Sequence, residues 1–126
     1  MSTIINTPNA PAPIGPYNQA ALAGNMLFVS GQIALDAQTG EPVMTDIVTE
    51  TKKVMDNIKA ILTEAGLDFS AIVKTSIFLK DMGAFAQVNE IYGSYFSGNY
   101  PARETIQVAA LPKNVNVEIS VIAYKA

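Results

Sequence analysis

The chain has 126 residues, a formal net charge of −3 and 49 % hydrophobic residues, and it contains no cysteine, histidine or tryptophan. These absences exclude disulfide bonds, thiolate chemistry, Cys/His zinc sites and Ser-His-Asp triads. An acidic chain with a single arginine also lacks the basic surface on which nucleic-acid binding depends. Since no signal-peptide pattern and no apolar run of membrane-spanning length is present, we expect one cytoplasmic domain, residues 1–126, without a nucleic-acid or membrane partner.

A proline-rich arm comes first. Residues 7–16 contain four prolines, and each proline fixes φ and removes a backbone donor. We therefore predict an extended arm that lies against the body of the domain and delivers Tyr17. Residues 17–23 and 26–35 follow as two predicted strands, and the Gly-Asn pair between them favours a tight hairpin because both residues tolerate positive φ.

Gly31 lies inside the second of these strands. A glycine weakens a strand interior, so its presence there calls for a structural explanation. Period-two alternation assigns the strand to two faces, with Leu27, Val29, Gly31 and Ile33 on one and Phe28, Ser30 and Gln32 on the other. Two explanations of Gly31 stay open. One is a β-bulge, and the other is the close approach of a ligand or a neighbouring backbone.

Residues 46–65 carry a clear helical signal. Apolar residues recur at spacings of three and four, Thr45 or Asp46 can cap the first turn, and Gly66 can end the helix. The charged residues fall on the opposite side, which we interpret as a solvated face without a function. They are Glu50, Lys52, Lys53, Asp56, Lys59 and Glu64.

A strand and a second helix follow. Residues 71–80 are rich in β-branched and aromatic side chains, which predicts a strand. Asp81 can cap a helix over residues 81–97, which carries an aromatic stripe of the kind that usually belongs to a core. Asn89 lies next to this stripe and can form a hydrogen bond with a nearby loop.

Residues 105–110 and 115–124 are the last predicted strands, so the order is β-β-α-β-α-β-β, with a parallel crossover through the second helix. Two helices cover only one face of such a sheet, which predicts an α+β fold with both helices on one side of a mixed sheet. The other face includes Glu118, Ser120, Ile122 and Tyr124 of the last strand. This face is too apolar for water and too polar for a core, which favours an oligomer interface.

Arg103, the only arginine, and Glu118 are the candidate functional pair. A guanidinium offers paired donors that match a carboxylate, and the nearby proline and β-rich run place Arg103 at the start of a strand. Glu118 lies in an apolar strand, where a carboxylate must be paired or solvated in a cleft. Two interpretations stay open: a structural salt bridge between the two residues, and a clamp for a small carboxylate beside a carboxylate base.

Six short motifs stand in order along the chain: APIGPYNQ (12–19), LFVSGQ (27–32), VNEIY (88–92), YPAR (100–103), VAALPK (108–113) and VEI (117–119). Any one of them is weak, whereas six in this order are specific. On these motifs the chain resembles the RidA (YjgF-type) reactive-intermediate imine deaminase family across nearly its whole length.

The resemblance implies a chorismate-mutase-like α+β domain and a barrel-like homotrimer with three active sites in the clefts between subunits. It also implies hydrolysis of 2-imino or 2-enamino acids, such as 2-iminobutyrate and 2-iminopropionate, to 2-keto acids and ammonia. Such intermediates arise when pyridoxal-phosphate dehydratases act on threonine or serine. We expect neither a metal nor another cofactor, because a protonated imine is already a strong electrophile that orientation and one carboxylate can direct toward water.

The resemblance also implies roles for individual residues. Arg103 holds the substrate carboxylate, Glu118 positions or activates the attacking water, and Tyr17 closes the pocket. The matched positions near the site are Ser30, Gly31 and Asn89.

Two positions depart from the family's pattern. Thr105 replaces a cysteine that is often found in the pocket. Because that position is expected to contribute backbone polar groups to substrate binding, we expect the chemistry to survive, while a thiol-based role is excluded. Ala110 stands where an arginine is frequent, which leaves Arg103 without a competing guanidinium.

Two other functions stay open. The first is a binding protein that senses 2-keto or fatty acids in the same cleft without turnover. A second carboxylate near the arginine disfavours it, since pure carboxylate recognition gains nothing from a like charge. The second is action on RNA as a ribonuclease or translation inhibitor, which has been attached to the family and which the acidic charge and the lack of histidine disfavour.

Overall fold

Six strands form one mixed sheet in a computed structural model that describes residues 2–126. The sheet order is β1-β2-β3-β6-β4-β5, in which β4 and β5 pair in parallel and all other neighbours are antiparallel. The elements in chain order are β1 (Thr3–Ile5), β2 (Ala20–Ala23), β3 (Met26–Gln32), α1 (Ile47–Glu64), β4 (Ile72–Leu79), α2 (Phe85–Gly93), β5 (Ala102–Gln107) and β6 (Val117–Tyr124). This is the predicted α+β architecture, with one additional strand at the N-terminus.

The two helices pack on one face of the sheet. Alternate residues of β6 are buried beneath them, as the period-two pattern predicts: Val117, Ile119, Val121 and Ala123. The facing side of α1 supplies an apolar stripe of fully buried side chains: Val54, Ile58, Ile61 and Leu62. Burial of these side chains is the main source of stability for the domain.

The ends of α1 follow the local sequence signals. The Asp46 side chain caps the helix by accepting a hydrogen bond from the Thr49 backbone N–H at 2.7 Å. Gly66 takes a positive φ of 76° just past the end. The Lys125 ammonium donates to the Ala65 carbonyl at 2.6 Å, which adds a cation at the negative end of the helix.

The second helix is shorter than predicted. Asp81 caps a 3-10 turn, Met82–Ala84, by accepting from the Gly83 N–H at 2.8 Å, and α2 starts only after that turn. It ends at Gly93 instead of continuing to residue 97. The Ser94 hydroxyl donates to the Ile91 carbonyl at 2.6 Å, which satisfies a terminal carbonyl and favours termination.

Several strand boundaries also differ from the predictions. The short strand β1 has no local signal and exists because it pairs with β2. β2 begins at Ala20, three residues later than predicted, and β3 ends at Gln32, three residues earlier. β5 begins at Ala102 because its parallel register against β4 starts there, and it ends at Gln107, before the predicted limit of residue 110.

The second face of the sheet carries no helix. Its exposed apolar side chains are Ile4, Phe28, Ile106 and Tyr124, each between 47 % and 49 % exposed. Within residues 2–126 the one ion pair also lies on this face, between Lys74 and Glu104 at 2.9 Å. Ser76 donates a hydrogen bond to the same glutamate. No helix in the described part of the chain is long and apolar enough to cross a bilayer.

Candidate active site

A cavity of about 350 Å³ opens beside β3 and β6. Four of the predicted site residues line it, namely Tyr17, Ser30, Gly31 and Glu118. Much of the remaining wall is apolar and comes from the proline-rich arm and two loops, through Pro11, Ala12, Ile14, Ile33, Leu35 and Pro112. An apolar cavity with a few convergent polar groups is the usual form of a small-molecule site.

Gly31 explains how Glu118 fits into this cavity. The register of β3 against β6 shifts between Val29 and Gln32, so a β-bulge spans the glycine. A Cβ atom added to Gly31 would lie 2.8 Å from the Glu118 Cδ atom. The bulge explanation is therefore confirmed. The group that approaches Gly31 closely is the side chain of Glu118, and not the ligand or backbone of the other explanation.

The same bulge corrects the predicted faces of β3. Strict alternation places Gln32 with Phe28, which is 47 % exposed, yet Gln32 is only 5 % exposed and pairs with the buried Ile119 of β6. The extra residue in the bulge shifts the pleat by one position. Gln32 and Gln19 both contribute to the cavity wall.

The Glu118 carboxylate is half-buried. Burial raises the pKa of Glu118 above the ordinary glutamate value, and no donor or cation among residues 2–126 opposes this effect. A carboxylate in this state binds a proton more readily than one in water. It is therefore suited to act as a base within a cavity.

Tyr17 and Ser30 differ in what they can offer to a ligand. Tyr17 is 45 % exposed, and its hydroxyl accepts a hydrogen bond from the Ile14 N–H at 3.3 Å. Its own proton therefore stays available for donation. The Ser30 hydroxyl donates to the Asn18 carbonyl at 2.6 Å, so it can only accept from a ligand.

Arg103 lies in a different cavity, of about 310 Å³, which Asn89 also lines. The guanidinium carbon stands 5.2 Å from the centre of the Tyr92 ring and 5.7 Å from that of Phe85. These cation–π contacts hold the planar head against two aromatic faces. Because Arg103 forms no ion pair within residues 2–126, its paired donors can bind a carboxylate from outside the chain.

Thr105 lines neither of these two cavities. It lies two residues beyond Arg103 on the same strand, and its hydroxyl oxygen is buried without a hydrogen-bond partner in the described residues. An unpartnered buried hydroxyl is uncommon in folded proteins. Across residues 2–126, side chains that ligate metals form no group of three that could hold a metal ion.

Arg103 and Glu118 lie on opposite faces of the sheet. Arg103 pairs in register with Thr75, and Thr75 pairs with Val121, which is buried beneath the helices. Glu118 instead shares its row with Phe78 of β4 on the face without helices. A salt bridge between Arg103 and Glu118 within one chain is therefore wrong, and so is a clamp and base side by side in one chain.

Comparison with known proteins identifies the family of this chain. The profile of the family described as "Endoribonuclease L-PSP" matches residues 7–125. The chain belongs to the YjgF/RidA family. A RutC family protein of Pyrococcus horikoshii is 51 % identical over 125 residues, covering 99 % of each chain. A mouse protein named 2-iminobutanoate/2-iminopropanoate deaminase is 48 % identical over 120 residues, covering 95 % of this chain and 89 % of the mouse protein.

A solved member of similar shape is Escherichia coli TdcF with bound serine. It superposes with a TM-score of 0.94 at 42 % identity, covering 98 % of this chain and 99 % of TdcF. The predicted family resemblance is thus confirmed. The predicted α+β domain is the YjgF/RidA fold.

Three buried polar side chains hold the walls of the Glu118 cavity in this YjgF/RidA chain. Gln19, 2 % exposed, accepts from the Thr7 N–H at 2.7 Å and donates to the carbonyls of Thr7, Ala10 and Pro11, which fixes the proline-rich arm against the body as predicted. Asn57, 1 % exposed, donates to the carbonyls of Ile33 and Leu35, each at 3.1 Å. Glu50 fixes the start of β6 by accepting hydrogen bonds from the backbone N–H groups of Asn116 and Val117. Each side chain anchors one segment of the wall.

The prediction that the charged side of α1 is fully solvated is wrong at Glu50. This glutamate is completely buried, whereas the prediction placed it in water with the lysines of that helix. Its partners are Asn116 and Val117, 66 and 67 residues further along the chain. No local pattern reveals contacts at that separation. The weak signal that was available is its position in the first helical turn, next to the buried stripe.

The raised pKa of Glu118 predicts a pH-dependent effect on stability. Because the folded-state pKa exceeds the unfolded value, the fold is favoured while the group is protonated, and this advantage is lost as the pH rises through the folded-state pKa. We expect Glu118→Gln to raise Tm at neutral pH and to leave it unchanged well below 4.5, the ordinary glutamate value. Thermal unfolding of both proteins across this range measures the effect. An equal gain at every pH would show that ionisation is not its cause.

Proposed function

We propose that the chain hydrolyses 2-imino and 2-enamino acids to 2-keto acids and ammonia, at sites formed between copies of the chain in a homotrimer. The observation that carries the proposal is the separation of Arg103 from Glu118 in two cavities on opposite faces. A second copy can bring the two halves together. The apolar, helix-free face of the sheet is a suitable surface for that association.

The Arg103 half binds and orients the substrate. The guanidinium donates two parallel hydrogen bonds to the substrate carboxylate. The Tyr92 and Phe85 rings behind the guanidinium limit its rotation. Asn89 supplies a polar side chain in the same cavity, and the contribution of Thr105, two residues beyond Arg103, is limited to its backbone polar groups. Holding the imine in one orientation removes much of the entropic cost of the reaction with water.

The Glu118 half performs the proton transfers. Glu118 accepts a proton from a water molecule as its oxygen attacks C2 of the protonated imine, which gives a carbinolamine. Glu118 returns this proton to the nitrogen, the C2–N bond breaks and ammonia leaves. Glu118 then takes the proton of the C2 hydroxyl, which becomes the keto group, and passes that proton to the departing ammonia, which leaves as ammonium. Attack on an iminium neutralises charge, so no oxyanion hole is required. Tyr17 covers the cavity and offers its hydroxyl proton to the substrate or the water.

A second candidate function is binding without turnover. TdcF was solved with bound serine, an amino acid that carries the carboxylate this site is suited to hold. In this alternative the cavity senses a 2-keto acid or another carboxylate, and Glu118 has no role as a base. The mouse deaminase relative and the perturbed Glu118 carboxylate favour turnover.

One assay separates the two functions. A dehydratase acting on threonine generates 2-iminobutyrate, and its disappearance is followed with and without the purified protein. We expect the protein to accelerate imine loss, with 2-ketobutyrate and ammonia as equimolar products. Binding of 2-ketobutyrate is measured by calorimetry on the same preparation. Imine loss at the uncatalysed rate together with measurable ketobutyrate binding would favour the sensor.

A further inference from the structure

Glu50 is a buried carboxylate without a cation. It lies in the first turn of α1 and is completely buried, and the ion pair of the described chain does not include it. Oε2 accepts from the backbone N–H groups of Asn116 at 2.7 Å and Val117 at 3.1 Å, and Oε1 accepts from the Asn116 side-chain amide at 2.9 Å. Hydrogen bonds alone therefore offset the cost of burying this charge.

All three donors come from the two residues that immediately precede Glu118. The Asn116 carbonyl is fixed as well, because it accepts from the Lys80 N–H at 3.0 Å. An apolar residue at position 50 would stabilise a helix interface at least as well as a buried charge. What the carboxylate provides is a fixed location for the start of β6.

The segment before this anchor is conformationally strained. Lys113 and Asn114 adopt positive φ angles of 54° and 56°, a region that costs free energy for residues with a side chain. The adjoining Pro112 lines the same cavity as Glu118. A strained segment keeps its shape only while neighbouring contacts hold it, and Glu50 supplies three of these contacts at its C-terminal end.

We propose that Glu50 is a positioning residue that acts through Asn116 and Val117 to place Glu118 in its cavity. The inference rests on the proposed hydrolysis for its kinetic test. It also has a test that needs no turnover, because misplacement of Glu118 changes the surroundings of its carboxylate.

Two substitutions separate the acceptor from the size of the side chain. Glutamine in place of Glu50 can direct its carbonyl oxygen at both backbone N–H groups, and its amide nitrogen can meet the Asn116 side chain after that amide rotates. Leucine fills a similar volume but leaves all three donors unpaired. The comparison of Glu50→Gln with Glu50→Leu thus tests the hydrogen bonds themselves.

The kinetic experiment measures kcat and KM with 2-iminobutyrate for these variants. We expect Glu50→Gln to stay within about twofold of the wild type, and Glu50→Leu to lose about tenfold or more in kcat with little change in KM, as is usual for residues that orient a catalytic group. KM is spared because the substrate carboxylate binds at Arg103. Ile61→Val, fully buried on the same helix, is the matched control, expected to lower Tm without lowering kcat.

A second pair of variants covers the case in which Glu50→Leu does not fold. Asn116→Asp places a carboxylate against Glu50 and should lower kcat by repulsion, and adding Glu50→Gln should restore it because the glutamine amide donates to the new carboxylate. If Asn116→Asp retains the wild-type kcat, or if folded Glu50→Leu does, the proposal is overturned.

A turnover-independent readout separates this inference from the proposed function. Carbon-13 NMR of the glutamate carboxyls follows the Glu118 titration in the wild type and in the Glu50 variants. We expect the Glu118 pKa to fall toward 4.5 in Glu50→Leu, as the carboxylate gains solvent, and to stay raised in Glu50→Gln. If the wild type lacks deaminase activity but this shift occurs, the positioning role stands and the proposed reaction fails. An unchanged titration in folded Glu50→Leu rejects the positioning role.

Discussion

Two inactive variants are expected to restore activity to each other when their subunits are mixed. Arg103→Ala removes the proposed carboxylate clamp, and Glu118→Gln removes the proposed base, so each should lower kcat/KM for 2-iminobutyrate at least about a hundredfold. The two residues lie in different cavities on opposite faces of the sheet. If the proposed site is shared between chains, each variant damages a different half of it. In randomly assembled trimers of an equal mixture, about one quarter of the sites receive both intact halves.

The measurement is an assay of the two variants refolded separately and as a 1:1 mixture. Recovery of about a quarter of the wild-type activity per chain supports a shared site. A double variant, Arg103→Ala with Glu118→Gln, is the control, because mixing it with either single variant completes no site. Light scattering establishes that the mixture contains oligomers. Mixed oligomers without recovered activity would show that Arg103 and Glu118 do not form one site shared between chains, and a monomeric mass would remove the shared site altogether.

Gly31→Ala is expected to inactivate the protein while leaving it folded. The new Cβ would lie 2.8 Å from Cδ of Glu118, closer than real Cβ contacts come, and 3.2 Å from Cγ, which is tighter than most such contacts. The atoms it meets belong to the end of a flexible side chain, so the fold can adjust by moving the carboxylate. A displacement on this scale is expected to lower kcat about a hundredfold, with little change in Tm.

Gly24→Ala is the matched control for this substitution. Gly24 has a φ of 59°, and no atom lies within 4 Å of the position that an added methyl group would take. It belongs to the β2–β3 turn and lines neither cavity. Alanine there should lower the free energy of unfolding by about 1 kcal/mol through backbone strain and leave kcat unchanged. The two glycines are thus expected to show opposite effects. A wild-type kcat in Gly31→Ala would mean that Glu118 does not act from its place against this glycine.

Regular local patterns make much of the fold predictable. The alternation of β6 assigns Glu118 to the helix-free face because a strand repeats every two residues, and the apolar spacing of α1 identifies its buried side. The parallel crossover between β4 and β5 follows from the intervening helix. These features depend on residues that are neighbours in sequence.

The features that the sequence leaves open depend on distant partners. Alternation alone assigns Gln32 to the wrong side because a bulge shifts the pleat. Arg103 is identifiable as a ligand-binding candidate, but its face depends on the register of β5 against β4, which no local pattern specifies. Glu50 has the local pattern of a solvated charge, because its donors come from the other end of the chain.

The three buried anchors, Gln19, Asn57 and Glu50, have a consequence for how this domain can evolve. Hydrogen bonds fix both distance and direction, whereas apolar packing tolerates volume-conserving exchanges. Hydrogen bonds fix the walls of the Glu118 cavity, whereas apolar packing holds the helices on the sheet. Core residues are therefore free to drift among aliphatic types without deforming the cavity. The shape of the cavity then depends mainly on three buried polar side chains, of which Gln19 also lines the cavity itself.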